Sequence, residues 1–400
     1  MKPAEDINMN VNIEFLDNEP IENMITSLHF CLDKVIFFGY QDVIVKQKKQ
    51  TEQFLKEVCG VTEVSFFALS KTSLKDVLKV MREVMQKEFA QGNTVYFDLT
   101  GGESLILVAF GMLAKEFDAP LHQYLVEEDR LLELTPENAH QISRDVGRQQ
   151  IILHLDQYIT MQGGEINHRL HKGSKDLSDE AFRTDVRNIW KVAKKYEAVW
   201  NAFSEFLPKL SRSSNAEVLE VRMRKENVYP LLKEHAGLKH SEKLDAILDD
   251  CANIGVLLDL KHDEEIYSFI YKSRALREVL WEAGSILELH TYLSEAERSD
   301  DCMVGVHLDW DGRLHEKASE DVYNEIDVLS LKGFIPTFIS CKSGNVNQMA
   351  LYELETVASR FGGKYAKKVL IAPQGLSYGH RMRAQEMGIV VKRDINDTDF

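Results

Sequence analysis

Apolar and polar positions recur in two rhythms along the first third of the chain. Short apolar runs at residues 11–16, 34–38, 64–69, 94–99 and 121–125 predict strands. Amphipathic stretches at 20–31, 47–58, 73–89 and 103–116 predict the helices between them. A strand–helix alternation of this kind implies an α/β fold, with a parallel sheet covered by helices on both faces. Ligands in such sheets bind at the carboxyl ends of the strands, near a switch in strand order. Four segments therefore matter: Asp17-Asn18-Glu19, Phe38-Gly39-Tyr40, Ser70-Lys71-Thr72 and Asp98-Leu99-Thr100-Gly101-Gly102-Glu103-Ser104.

The last of these is the most informative. Its glycine pair lets the backbone approach a ligand where the next helix opens, and free N–H groups with partial positive charge at a helix start suit a phosphate. The plain alternative is a tight strand-to-helix turn with Thr100 as an N-cap. The chain has no GxGxxG and no Walker A sequence, which disfavours a dinucleotide dehydrogenase and an ordinary ATPase.

From about 131 to 280 the pattern is less regular. Gln162-Gly163-Gly164 and His171-Lys172-Gly173-Ser174-Lys175 read as loop, with His168, Arg169, His171 and Lys172 on a solvated face. Helices are expected at 179–206 and 216–237, then 244–252, an apolar run at 254–260 and a hairpin at 261–271. That order is winged-helix-like. Asp245, Asp249 and Asp250 make its face acidic, which favours a spacer or dimerisation element over nucleic-acid contact.

The C-terminal part holds the candidate chemistry. A helix expected at 275–292 places Glu288 beside an apolar stripe of Leu280, Trp281, Gly284 and Leu287, where an unpaired carboxylate would be costly. Strands follow at 304–308, 325–331 and 334–342, the last two forming a hairpin around Lys332-Gly333. With a two-residue turn, the pleat puts Glu325, Asp327, Ser340 and Lys342 on one face. Ile326, Val328, Ile335, Ile339 and Cys341 fall on the opposite, apolar face. Two acids and a lysine so placed can hold a hard cation and a phosphodiester, the lysine orienting a water and offsetting negative charge. Cys341 reads as packing, not as a nucleophile.

Charge qualifies this picture. Lys and Arg number 48 against 64 Asp and Glu, a net charge of −16, so nucleic-acid binding must come from a local patch. Residues 281–331 are acidic, whereas Arg360, Lys364, Lys367, Lys368, Arg381, Arg383, Lys392 and Arg393 form a basic track, some of it simply solvated helix face. Five cysteines without a CxxC pair favour reduced thiols and a cytoplasmic location. No membrane-spanning stretch or signal peptide is expected.

The arrangement of Glu288, Asp327 and Lys342 resembles the PD-(D/E)XK nuclease superfamily, and the Ser340-Cys341-Lys342 strand is similar to its Mrr-type branch. The Asp98-Leu99-Thr100-Gly101-Gly102 turn resembles that of CRISPR-associated Rossmann-fold (CARF) sensor domains. Together the halves are similar to cyclic-oligoadenylate-activated CARF nucleases of type III CRISPR systems. The resemblance implies a Rossmann-like CARF domain over 1–150, a helical and winged-helix-like region over 151–275, and a restriction-endonuclease-like α/β domain over 276–400. It further implies a homodimer that holds cyclic tetra-adenylate through Asp17, Asn18, Phe38, Gly39, Thr100, Gly101, Gly102 and Glu103. In the nuclease half, Glu288, Asp327 and the Cys341 carbonyl would bind Mg²⁺ or Mn²⁺, and Lys342 would position water on a DNA or single-stranded RNA substrate.

Ser340 departs from the family, which usually carries Asp, Glu or Gln there. The metal would then be held through a water or with help from Glu325, or the site would be silent. The three retained residues favour an active enzyme. Competing readings are a non-catalytic DNA-binding regulator, a nucleotide-independent restriction enzyme, and a ring nuclease acting through Glu103 or Lys71.

Overall fold

A computed structural model describes residues 8–70, 73–134, 139–141, 151–170, 175–211, 218–234, 238, 241–263, 265–314 and 322–397. One unit comprises residues 1–164 with 333–335 and 363–365; a second comprises 165–332, 336–362 and 366–400.

In the first unit, β1 (Asn10–Phe15), β2 (Lys34–Gly39), β3 (Glu63–Ala68), β4 (Thr94–Asp98) and β5 (Leu121–Leu125) alternate with α1 (Ile25–His29), α2 (Gln41–Glu57), α3 (Leu74–Ala90) and α4 (Ser104–Phe117). These five strands pair in parallel, as the alternation predicts. Val35, Ile36, Phe37 and Phe38 of β2 are fully buried, as a strand covered on both faces requires. Two strands not foreseen, β6 (Arg130–Leu134) and β7 (Ala139–Gln141), extend the sheet antiparallel, giving the order β3-β2-β1-β4-β5-β6-β7. Helix α5 (Leu155–Met161) follows. The order reverses between β1 and β4, so the switch point lies where β1 and β4 end.

Helix α1 is shorter than the expected 20–31. Asn23 is bonded both ways to the Asp17 backbone, which holds this segment in the loop: Asp17 N donates to its Oδ1 at 2.9 Å, and its Nδ2 donates to Asp17 O at 3.1 Å.

The second unit opens with β8 (Glu165–Ile166) and the helices α6 (Glu180–Lys195) and α7 (Glu197–Leu210). The apolar period runs through residue 196 without interruption, so spacing could not reveal this break in the expected 179–206 helix. Next come β9 (Glu220–Arg224), α8 (Lys225–Glu234), α9 (Ser241–Asn253), β10 (Leu257–Lys261) and β11 (Ile266–Tyr271). The helix expected over 216–237 is thus corrected to a strand and a helix. Val221 and Met223 are buried while Glu220, Arg222 and Arg224 are exposed, a period of two that the helical reading overlooked. The three strands pair antiparallel in the order β10-β11-β9.

Helices α10 (Arg274–Trp281) and α11 (Ser285–Ala296) replace the single helix expected over 275–292, parted at Gly284 with φ 100°. The larger sheet is built from β12 (Asp301–Asp309), β13 (Tyr323–Lys332), β14 (Ile335–Cys341), β15 (Lys367–Ile371) and β16 (Ile389–Lys392), with α12 (Gln348–Phe361) and α13 (Tyr378–Glu386) in the connections. Its order is β16-β15-β14-β13-β12-β8. Helix α11 serves two cores. Ile286, Leu289 and Leu293 join the helical cluster with Trp200, Phe203 and Phe269. Leu287 joins Val304, Val328, Ile339 and Cys341 over the larger sheet.

The hairpin turn is Gly333-Phe334, one position later than expected, with Gly333 at φ 57°. A two-residue turn moved by one position changes the cross-strand partner by two residues. The faces foreseen for Asp327 and Ser340 are therefore kept.

Among the described residues, no helix is long and apolar enough to cross a membrane.

Candidate functional sites

In the first unit, the ends of β1, β2 and β4 meet at the switch point. Asp98 closes β4 with its carboxylate buried. It accepts from Thr100 N at 2.8 Å and from the Thr26 hydroxyl, and His122 Nε2 lies 3.4 Å away. Burial opposes its charge, but His122, Thr100 and Thr26 outweigh that and hold it below the usual carboxylate range. Thr100 Oγ1 in turn accepts from Tyr124 N at 3.0 Å. The loop after β4 is thus anchored from two neighbouring strands.

The glycine pair is required by geometry. Gly102 has φ 125°, and a Cβ there would meet Leu107 at 3.2 Å and Phe15 at 3.3 Å. A Cβ on Gly101 would meet a Glu22 carboxylate oxygen at 3.2 Å. Glu103 stands at the N-cap of α4 with no side-chain capping bond; instead it accepts from Tyr40 Oη at 2.7 Å. Burial first, then Glu103, pushes the Tyr40 phenol up to about 12, so it remains a donor at physiological pH. Tyr40 lies in a segment singled out by the strand-end rule but was not among the residues selected.

Of the expected contacts, Asp17, Asn18, Thr100, Gly101, Gly102 and Glu103 lie on the connections that follow β1 and β4, and Gly39 ends β2. The Phe38 side chain does not reach this pole; it is buried against Phe67, with ring centroids 5.7 Å apart. Lys71 and Thr72 lie outside the described residues, as do His171 and Lys172. The pole is rich in carboxylates. Burial raises Glu19 above its ordinary value, with Glu22 and Asp17 adding to the effect and the Lys364 amide and charge opposing it. Such a lining accepts hydrogen bonds from amino and hydroxyl groups and repels bare phosphate, while the open end of α4 offers N–H groups.

In the second unit, one carboxylate oxygen organises the end of the β13–β14 hairpin. Asp327 Oδ2 accepts from Cys341 N at 2.6 Å, Ser340 Oγ at 3.1 Å and Lys342 Nζ at 3.3 Å. Burial disfavours the Lys342 charge, but Asp327 and then Cys341 and Glu353 outweigh it, so the amine is held above its ordinary value as an ammonium. Glu353, on α12, escaped the sequence reading because nothing in local spacing links it to Lys342. Ser340 is buried at 7% exposure, and its hydroxyl is turned to Asp327.

Glu288 occupies the first turn of α11, its N–H bonded to Gly284 O at 3.1 Å. Burial pushes the Cys341 thiol well up, followed by the charges of Asp327 and Glu288. A Cβ on Gly284 would meet both Ser343 Oγ at 3.5 Å and Glu288 Oε1 at 3.9 Å, so Glu288 reaches the segment that follows Lys342, and the Cys341 thiol is a core group within the apolar cluster. Glu325, exposed on the same strand, lies 3.8 Å from His307 Nε2.

Among the described residues, no three His, Cys, Asp or Glu side chains gather as a metal ligand set. Two carboxylates and a backbone carbonyl nevertheless suit Mg²⁺ or Mn²⁺. Hard cations of this size commonly keep waters and take one or two protein carboxylates, completing their shell with substrate phosphate. The donor set fits the group.

The basic track divides. Arg360 donates to Trp310 O at 2.9 Å, Lys368 pairs with Glu355 at 2.6 Å, and Lys392 donates to Asp397 O at 3.0 Å. These hold the fold. Arg381, Arg383 and Arg393 are exposed, two of them on α13.

No protein-family model matches this sequence, and no curated protein matches it. Solved structures do. The Vibrio cholerae protein VC1899 is 18% identical over 96% of this chain and 93% of its own, with a TM-score of 0.69. Can2 from Sulfobacillus thermosulfidooxidans, solved with cyclic tetra-adenylate, is 14% identical over 98% of this chain and 95% of its own, with a TM-score of 0.61. The chain shares the fold of both along nearly its whole length.

Proposed function

We propose that this chain is a cyclic-oligoadenylate-responsive, metal-dependent nuclease of CRISPR-type defence. Residues 1–150 act as a CARF sensor, 151–275 as a winged-helix-like connector, and 276–400 as a PD-(D/E)XK nuclease. The observation that carries the reading is the convergence of Ser340, Cys341 and Lys342 on one oxygen of Asp327, with Glu288 reaching the adjoining Ser343 segment. The sensor reading rests on the switch-point pole and on the fold shared with Can2, whose structure holds cyclic tetra-adenylate.

Glu288, Asp327 and the Cys341 carbonyl would hold Mg²⁺ or Mn²⁺, which supplies Lewis acidity and an activated water when bound. Lys342, kept protonated by Asp327, places a fixed positive charge where a phosphodiester gains negative charge. Ser340 positions Asp327 through its hydrogen bond. In the sensor, Asp17, Asn18 and Glu103 accept from ribose hydroxyls or adenine amino groups, and the Gly101-Gly102 backbone lets the ring come close to α4.

A homodimer in the cytoplasm completes the reading. Its support is the exposed apolar face of α4, where Val108 and Met112, one turn apart, are 53% and 49% exposed.

The test is cleavage of supercoiled plasmid and labelled single-stranded RNA with Mn²⁺ or Mg²⁺, with and without cyclic tetra-adenylate. Cleavage is expected to need both metal and activator, and to fall at least about 10²-fold in Lys342→Ala and Asp327→Ala. Activator binding without cleavage of either substrate would overturn the enzyme and leave a regulator. Cleavage indifferent to the activator would overturn the sensor.

A further inference from the structure

A cleft of about 280 Å³ in the second unit has no part in the chemistry above. It is lined by Trp190, Lys194, Trp200, Asn201, Ser343 and Arg393. Ser343 directly follows Lys342, and Gln374 Nε2 holds its carbonyl at 3.1 Å, so the cleft opens beside the phosphate-facing lysine. Trp190, half-buried, supplies aromatic wall, and Trp200 backs it from the helical core. Trp190 is set by His290, stacked on it at 4.5 Å between centroids and 14° between planes.

The charges in the cleft select among ligands. Glu197, Asp394 and Asp397 also line it. Asp394 pairs with Lys194 at 3.0 Å and has the His290 Nε2 atom 3.2 Å away, and Asp397 accepts from the Arg393 and Asp394 amides at 3.1 and 2.9 Å. Lys194 and Arg393 are the two bases in the lining against three carboxylates, so the wall stays net acidic and disfavours a phosphate inside. A nucleobase would not be repelled: it is neutral, offers a π face to the Trp190 indole, and has edge donors and acceptors that an Asn201 amide can match. The volume is also small for a whole drug-sized ligand and better suited to one base.

We infer that this cleft binds one unpaired nucleobase of the substrate strand, next to the phosphate held at Lys342; the inference rests on the nuclease reading. A base within a duplex is paired and stacked and cannot enter, so the substrate class is single-stranded or locally opened nucleic acid. Lys342, next in sequence to Ser343 of the lining, and Arg393 of the lining would meet the backbone while the base goes inside.

The experiment uses the full-length protein and a single-stranded oligonucleotide in which one abasic position is walked along the strand. Binding is measured in Ca²⁺ by tryptophan quenching, and cleavage in Mn²⁺ with cyclic tetra-adenylate. At one register position, loss of the base is expected to weaken binding about tenfold, the scale of one base–aromatic stack. Asn201→Phe, which fills the cleft, is expected to bind intact and abasic strands alike, and Asn201→Ala to retain part of the discrimination; both are checked by thermal midpoint. An abasic walk without effect at any position, or discrimination that survives Asn201→Phe, would overturn the cleft. Discrimination in Ca²⁺ with no cleavage in Mn²⁺ would keep the cleft and overturn the nuclease. Cleavage that ignores the abasic site does the reverse.

Discussion

At the scale of single residues, Ser340 is the informative departure. A serine cannot match a carboxylate as a metal ligand, but a buried hydroxyl 3.1 Å from Asp327 Oδ2 can fix that carboxylate's orientation. Ser340→Ala removes one of three donors and leaves the other two. A net loss of about 1 kcal/mol, roughly fivefold in kcat with KM little changed, is expected from steady-state cleavage. An unchanged kcat would show that Cys341 N and Lys342 suffice to hold Asp327. Glu14 tests the other end of the chain. It lies within β1, 3% exposed, with the Asn12 amide donating to it. Burial, then the charge of Asp98, raises its carboxyl well above the ordinary range. The folded state thus keeps a proton that the unfolded chain has released. The stability from this proton is full below the unfolded value of 4.5 and is lost as pH rises from there through the folded pKa. Glu14→Gln cannot ionise, so its thermal midpoint should gain about 2–4 °C on the parent between pH 5 and pH 7.5. A gap that does not widen with pH would count against a protonated Glu14.

At the scale of elements, a glycine decides the loop after β4. Gly102 combines φ 125° with close contacts to Leu107 and Phe15, so an alanine is opposed by both backbone and packing. The cost of about 1–3 kcal/mol falls on the segment that opens α4. Gly102→Ala should therefore weaken activator binding at least about tenfold in a calorimetric titration while cleavage at saturating activator persists. Equal binding by parent and variant would place the ligand elsewhere. The turn was legible from its sequence, since a glycine pair between an apolar run and an amphipathic stretch has few other uses. The five parallel strands were equally legible, as was the sheet face shared by Asp327 and Ser340. What escaped has physical reasons. The alternation Glu220-Val221-Arg222-Met223-Arg224 is short and sits beside a helical pattern that absorbed it. The break at Tyr196 leaves the apolar period intact. The pairing of Tyr40 with Glu103 crosses between strand ends far apart in sequence, a property of topology that no local window carries.

At the scale of the whole molecule, a net charge of −16 must be reconciled with the polyanionic substrate proposed above. Exposed Arg381, Arg383 and Arg393 concentrate base in the C-terminal part, while Arg360, Lys368 and Lys392 are spent on internal contacts. The proposed activator poses a second problem, because carboxylates at the ends of β1 and β4 would disfavour a ring of phosphates. Two such poles related by a two-fold axis would share one ring, each reading hydroxyl and amino groups while the phosphates face the open ends of two α4 helices. The exposed Val108 and Met112 give α4 an apolar face through which two copies could pair isologously. A Val108→Glu, Met112→Glu double substitution is therefore expected to convert a dimer into a monomer in analytical ultracentrifugation while each chain keeps its fold by circular dichroism, since both side chains are exposed in the single chain. The same variant should lose the stoichiometry of one cyclic tetra-adenylate per two chains and, with it, activator-dependent cleavage. A variant that is monomeric yet still activated would refute the shared ring. A parent chain that is itself monomeric with activator bound would do so as well, and each sensor pole would then have to hold its ligand alone against its own acidic lining.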